Sequence, residues 1–365
     1  MRIIITKALL LDALNKVQKV VPSKGSMRII ENALFSADDG KLVITGTNLD
    51  ITIVANAECG VLESGQTTLP VKMMTSAISK CADGMIEISS DLSDKAVVTA
   101  GTTTFRIVGL PAKDFPILST AEGVTVEVKC EVLKEMFRKV KYAASQDDTR
   151  HSLKSVFIEI KDKTISAVAT DGRRLAKYEV STEIDSDAEV LLPITAVEQV
   201  LPNIKGEGAC KITLDKDKMT FNLGSVIVYT KLVDDKYPNY RQIIPTEFAH
   251  LLTVDRENFI QAIERVSVFA SDGTTGSIEI TIGENQMVLK ASTTDVGESR
   301  DVLPVKFDGT EPITIRLNPT YVKDALNALD EDDVQIQINS GVQPINIKRP
   351  DTSAFTYICM PLRAG

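Results

Sequence analysis

"TISAVATDGRRLAKYEV", residues 164–180, decides how the chain is read. Apolar residues alternate on both sides of Asp171-Gly172, the pattern of two half-buried strands joined by a tight turn. Two arginines follow the turn. Asp171, Arg173 and Arg174 therefore form either a loop that grips or processes phosphate, or the bend between two strands with incidental charge.

Repetition bears on this choice. "KLVITGTNLDITIV" begins at Lys41 and "QMVLKASTTDVGESRDV" at Gln286. Each has the same strand, turn and strand, and Thr47, Thr170 and Thr294 are 123 and then 124 residues apart. A second feature keeps phase: "FRIVGLPAKDFP" ends at Pro116, "VIVYTKLVDDKYP" ends at Pro238, and "FTYICMPLRAG" closes the chain. The other copies carry Asn48-Leu49 and Asp295-Val296 where this one has Asp171-Gly172. Asp171 is thus read as architectural, because Asx residues and Gly suit tight turns. What the middle copy adds is Gly172, Arg173, Arg174 and Leu175.

Helical spacing recurs in the same phase. Leu10, Leu14, Val17 and Val21 share one face, as do Leu133, Met136, Phe137 and Val140, and Phe259, Ile263 and Val266. A second helix is expected in each copy, at about 71–81, 195–201 and 319–329. Pro70, Pro193 and Pro319 stand at or beside the starts, where a missing N–H costs little. The expected fold class is α+β: three tandem copies of one domain, each with two helices packed on antiparallel sheets. The expected domains are 1–119, 120–246 and 247–365.

The 365 residues carry a net charge of -9. Even spreading of that charge would argue against nucleic acid. The six helical segments nevertheless sum to +4 and the remainder to -13. Lys134, Arg138 and Lys141 fall at i, i+4 and i+7. This is either a weak phosphate-attracting surface or the solvated faces of ordinary amphipathic helices.

Cysteines at 59, 81, 130, 210 and 359 form no CxxC pair and are odd in number. They read as buried free thiols in a reducing cytoplasm. His151 and His250 are the only histidines. No metal site, cofactor or Ser-His-Asp triad is expected, and no GxxxxGK[ST] nucleotide loop occurs. "MRIIITKALLLDALNKVQKVV" is interrupted by Lys7 and Asp12, so it reads as a strand and a helix and not as a signal peptide. No run of about 18 apolar residues suggests a membrane span.

With "SQDDTR", "ATDGRRLA", "KLVDDKYPNY", "YVKDALNAL" and "YICMPLR" in this order, the whole chain resembles the bacterial DNA polymerase III beta subunit family, the replicative sliding clamps. The resemblance implies three DNA-clamp domains per chain and a head-to-tail homodimer closing into a six-domain ring. It implies a non-catalytic processivity factor in the cytoplasm, associated with the nucleoid. Such a ring encircles double-stranded DNA without reading sequence and is loaded by an ATP-dependent clamp loader. It tethers polymerase, loader, ligase and repair proteins through short Gln-Leu-containing peptides.

Carried over by motif, the peptide pocket is Leu153, Thr170, Gly172, Arg173, Arg174, Leu175, Pro238, Gln242, Ile243, Asn318, Tyr321, Val342, Pro344, Ile358, Cys359, Met360, Pro361, Leu362 and Arg363. Apolar groups would take Leu or Phe anchors and a few polar groups would fix the peptide's orientation. The DNA-facing candidates are Lys7, Lys16, Lys19, Lys24, Arg28, Lys72, Lys80, Lys134, Arg138, Lys141, Gln146 and Arg150. Two rivals stand beside this reading: a non-replicative or inhibitor-resistant clamp paralogue, and an enzyme processing phosphate at Asp171, Arg173 and Arg174.

Overall fold

The computed structural model describes all residues except 117–120, 147–148, 185–186, 271–275, 294–295, 351–353 and 363–365. Six α-helices occur among the described residues: α1 Lys7–Val17, α2 Val71–Ser79, α3 Cys130–Val140, α4 Ile194–Val200, α5 Arg256–Ser267 and α6 Pro319–Ala328. All six fall where the apolar spacing places them. Their starts have physical causes. The Thr6 hydroxyl accepts the Leu9 N–H ahead of α1, Asp255 accepts the Asn258 N–H ahead of α5, and Asn318 caps α6 with Pro319 in its first turn. The expected inward faces are buried: Leu10, Leu14 and Val17 in α1; Leu133, Met136, Phe137 and Val140 in α3; Phe259, Ile263 and Val266 in α5. Each fully buried large apolar side chain contributes about 1.5–3 kcal/mol.

Among the described residues the strands form four antiparallel sheets, of five, eight, nine and four strands. The chain divides into two compact units. One contains Met1–Lys134 with Thr195–Leu232, the other Glu135–Ile194 with Val233–Gly365. In the first unit, strand Val226–Lys231 pairs with Ile51–Glu58, so part of the middle repeat extends the first repeat's sheet. In the second unit, Arg174–Ser181 pairs with Phe355–Cys359, so the rest of the middle repeat extends the last repeat's sheet. Each pairing covers a strand edge that would otherwise be open. The repeat is a unit of sequence, and the sheets run across its borders. No helix among the described residues is long and apolar enough to cross a membrane.

Candidate functional site

The bend at Asp171 is built by side-chain hydrogen bonds. Thr170 Oγ1 accepts the Gly172 N–H at 3.1 Å and donates to the Arg174 carbonyl at 2.6 Å. Asp171 Oδ1 accepts the N–H groups of Arg173 and Arg174 at 2.9 and 3.0 Å. Gly172 sits at φ +85°, a left-handed conformation that costs glycine little. The first repeat reproduces this bond for bond. Thr47 Oγ1 accepts from Leu49 and donates to Ile51, and Asn48 Oδ1 accepts from Asp50 and Ile51. Leu49 takes the left-handed position at φ +77°. The turn is architecture, as the repetition indicates. Thr294 and Asp295, the third copy, lie outside the described residues.

Arg174 stands where the first repeat has buried Ile51, and its surroundings compensate its charge. Nε donates to Asp171 Oδ2 at 3.0 Å and a terminal nitrogen donates to Asp324 Oδ2 at 2.5 Å. The guanidinium carbon lies 4.3 Å from the ring centre of Tyr321 and 5.9 Å from that of Tyr142. The side chain is only 11% exposed. Burial pulls its pKa down, but Tyr357 and the carboxylates of Asp324 and Asp171 outweigh burial and raise it above the ordinary arginine value. A guanidinium so compensated is a poor phosphate grip, which weighs against the enzymatic rival. Asp324 and Tyr142 were not nominated from sequence. Asp324 had one signal, its position three residues after Tyr321 on α6, hence on a neighbouring face.

Strand pairing assembles the remaining candidates of the second unit. Arg174 is opposite Cys359 and Leu175 opposite Ile358, and the Met360 N–H donates to the Arg173 carbonyl at 2.9 Å. Residues 170–175 and 358–360 are thereby side by side. Leu175 and Ile358 belong to a core cluster with Phe157, Val168, Leu191 and Tyr240, and Val233, Tyr237 and Ile244 pack against it. Phe157 and Tyr237 stack at 5.1 Å.

The nominated residues then fall into three groups. Leu153, Thr170, Leu175, Asn318, Ile358 and Cys359 are buried. They form floor and frame; the Asn318 side chain, for example, caps α6 by accepting from Thr320 and Tyr321. Arg174, Tyr321, Pro344, Pro361 and Leu362 are half-buried. Gly172, Arg173, Pro238, Gln242, Ile243, Val342 and Met360 are exposed. Val342 is 85% exposed, and no described hydrogen bond or core cluster ties it to the others. Arg363 lies outside the described residues.

The basic candidates are less uniform than a common DNA-facing role suggests. Lys16 corrects the expectation: it is buried, with Nζ 2.5 Å from Asp12 Oδ2 and 3.5 Å from Ser225 Oγ. A lysine on the apolar face of α1 needs such a counter-charge to be buried at all. Lys7 is half-buried and bonds the Cys81 carbonyl and Asp83, and Lys72 bonds Ser23. Lys19, Lys24, Arg28, Lys80 and Lys134 are exposed, as are Gln146 and Arg150, while Lys141 is half-buried. Arg138 holds Asp330 with two nitrogens. Its neighbour Lys139, not nominated from sequence, is fully buried and donates to the Ala328 carbonyl and to Asp330. The Arg138 bond and the Lys139 charge hold the Asp330 carboxyl down at about 2.

Among the described residues, no group of three His, Cys, Asp or Glu is placed to hold a metal ion. Comparison with known proteins gives a consistent class. Residues 1–119, 127–239 and 241–363 match the N-terminal, central and C-terminal domains of the DNA polymerase III beta subunit. The beta sliding clamp of Synechocystis sp. is 30% identical over 390 residues, covering 100% of this chain and 99% of that protein. That of Chlamydia muridarum is 27% identical, covering 100% and 99%. Among solved structures, a sliding clamp from Bartonella birtlesii bound to griselimycin superposes with a TM-score of 0.94 at 28% identity, and the Thermotoga maritima beta subunit with 0.91 at 28%, each over 100% of both chains. The fold is that of a three-domain DNA clamp. The chain belongs to the DNA polymerase III beta subunit family, the bacterial beta sliding clamps.

Proposed function

We propose that two copies of this DNA sliding clamp close head to tail into a ring around duplex DNA and hold the replicative polymerase there by tethering. The observation that carries this reading is the full-length match of three consecutive clamp domains to beta sliding clamps. The sheets add physical support. In the five-stranded sheet Thr103–Val108 is an outer strand, and in the four-stranded sheet so is Gly297–Pro304. Outer strands in the first and the last repeat suit a heterologous contact that closes after two subunits. Domain borders at 119/120 and 246/247 belong to the same proposal.

The chain acts without catalysis of its own: a tethered polymerase meets the primer end at high effective concentration. The docking site is the surface around Arg173, Gln242, Ile243, Met360 and Leu362, above the floor formed by Leu175 and Ile358. Its ligands are short Gln-Leu-containing segments of polymerase, loader, ligase and repair proteins, with an apolar anchor meeting the exposed Ile243 and Met360. Loading uses an ATP-dependent loader on other chains.

Small-angle X-ray scattering with in-line mass determination tests the ring. A mass of twice 39.8 kDa with a hollow-ring distance distribution is expected. A compact monomer at micromolar concentration overturns it. Titration of a labelled Gln-Leu peptide against Met360→Ala then tests the pocket, with clear weakening expected.

A further inference from the structure

Cys130 is the first residue of α3, and Cys210 lies in strand Ala209–Leu214. They are 80 residues apart in sequence, yet their sulfurs lie 2.8 Å from each other. Both belong to the first unit, and both are buried. Regular pairing brings them together. Val128 is opposite Cys210, Lys129 is opposite Ala209, and the Cys130 N–H donates to the Gly208 carbonyl at 2.8 Å. One side chain thus comes from the first residue of α3, directly after strand Val124–Lys129, and the other from the neighbouring strand Ala209–Leu214, so the two sulfurs already face each other. Cys59, Cys81 and Cys359 have no sulfur partner among the described contacts.

We propose that Cys130 and Cys210 are a modification site: a thiol pair that hydroperoxides convert to an intramolecular disulfide, stapling the start of α3 to the sheet. The chemistry closes in two steps. One thiol, as its thiolate, attacks the O–O bond of hydrogen peroxide, giving a sulfenic acid and hydroxide, which takes up the proton the thiol lost and leaves as water. The second thiol then attacks that sulfur, forming S–S and releasing a second water. Each sulfur loses one electron and the peroxide oxygens gain two.

Access comes from the edge. Val124–Lys129, which leads directly into Cys130, is the outermost strand of the eight-stranded sheet, and Val124 is exposed. Burial and the adjacent thiol push the Cys210 pKa up to about 12, and both sulfurs are buried, so oxidation requires opening of this edge. The staple also has a topological consequence. The chain leaves the first unit after Lys134 and returns at Thr195. A bond from 130 to 210 closes that entire excursion into one loop.

The test treats the purified full-length protein with hydrogen peroxide, then counts free thiols in denaturant and maps peptides without reduction. The expected result is loss of two of the five thiols, a 130–210 linked peptide pair, and a melting midpoint higher by roughly 5–10 °C that dithiothreitol reverses. Cys130→Ser and Cys210→Ser are each expected to abolish the linked pair and the shift. Five free thiols after treatment, a bond between other cysteines, or a linked pair without a thermal shift overturns the proposal. Peptide mapping of the unsubstituted protein decides the matter should either serine variant fold poorly.

Discussion

The bends at Thr47–Thr52 and Thr170–Leu175 have one hydrogen-bond pattern and two uses. In the first repeat, position 51 is an isoleucine sunk in the core, 3% exposed. In the middle repeat the equivalent position is Arg174, enclosed by Asp171, Asp324 and the Tyr321 ring. The backbone scaffold was kept while one side chain changed from an apolar plug to a compensated cation. The two bends therefore differ in what surrounds the turn, not in the turn itself.

Substitution at the equivalent positions is expected to give the largest separation. Ile51→Ala opens a cavity and is expected to cost about 3 kcal/mol in urea unfolding. Arg174→Ala leaves Asp171 and Asp324 without their cation; with Asp324 30% exposed, water offsets part of the loss and about 2 kcal/mol is expected. Of these two, Arg174→Ala alone is expected to weaken partner-peptide binding, and Asp324→Asn, which removes the arginine's anchor, is expected to act in the same direction. Equal loss of peptide affinity in Ile51→Ala would show that the pocket responds to general destabilisation, and the comparison would fail.

The next effect concerns the left-handed residue. Leu49 and Gly172 occupy the same position at φ +77° and +85°. Leu49→Gly relieves the strain of a side chain there and is expected to stabilise by about 0.5–1 kcal/mol, while Gly172→Ala is expected to cost about 1 kcal/mol. The added methyl at 172 has room, its nearest neighbour being Arg150 at 3.9 Å, so backbone strain alone is measured. Thermal midpoints moving in the same direction for both variants would break the equivalence.

A third prediction extends the comparison to the other compensated arginine. Arg138 and Lys139 keep the Asp330 carboxyl ionised down to about 2 in the folded chain, against 3.8 ordinarily. Between those values the unfolded chain binds more protons than the native one, so stability falls as pH drops through this window. Asp330→Asn is expected to flatten that slope in acid titrations followed by circular dichroism. The effect is small, because Asp330 is 60% exposed and solvent screens the pair. An unchanged slope would mean that the ion pair contributes nothing in solution.

Legibility in the sequence followed the range of the interaction. The three repeats and all six helices rest on local periodicity and on caps within a few residues, and both survive in a single strand of text. The architectural role of Asp171 was readable because it occurs again at Asn48. The sharing of the middle repeat between two sheets was not, since it depends on Val226–Lys231 finding Ile51–Glu58 and Arg174–Ser181 finding Phe355–Cys359. The Asp324 anchor of Arg174, the burial of Lys16 and the meeting of Cys130 with Cys210 were hidden for the same reason. Each joins residues that only tertiary pairing brings together.

The smallest expected effect separates free cations from spent ones along α3. The sequence places Lys134, Arg138 and Lys141 in one row, as though equivalent. The structure leaves Lys134 exposed and commits Arg138 to Asp330. A cation already neutralised by a carboxylate displaces fewer counterions from DNA when it approaches phosphate. Lys134→Ala is therefore expected to lower the slope of log affinity against log salt by up to about 0.9, and Arg138→Ala by clearly less. Asp330→Asn, which frees Arg138, is expected to raise the slope. Fluorescence anisotropy with a labelled duplex across a salt series reads all three. Equal slopes for Lys134→Ala and Arg138→Ala would mean that phosphate takes Arg138 from Asp330 at little cost, and that the row acts as one surface after all.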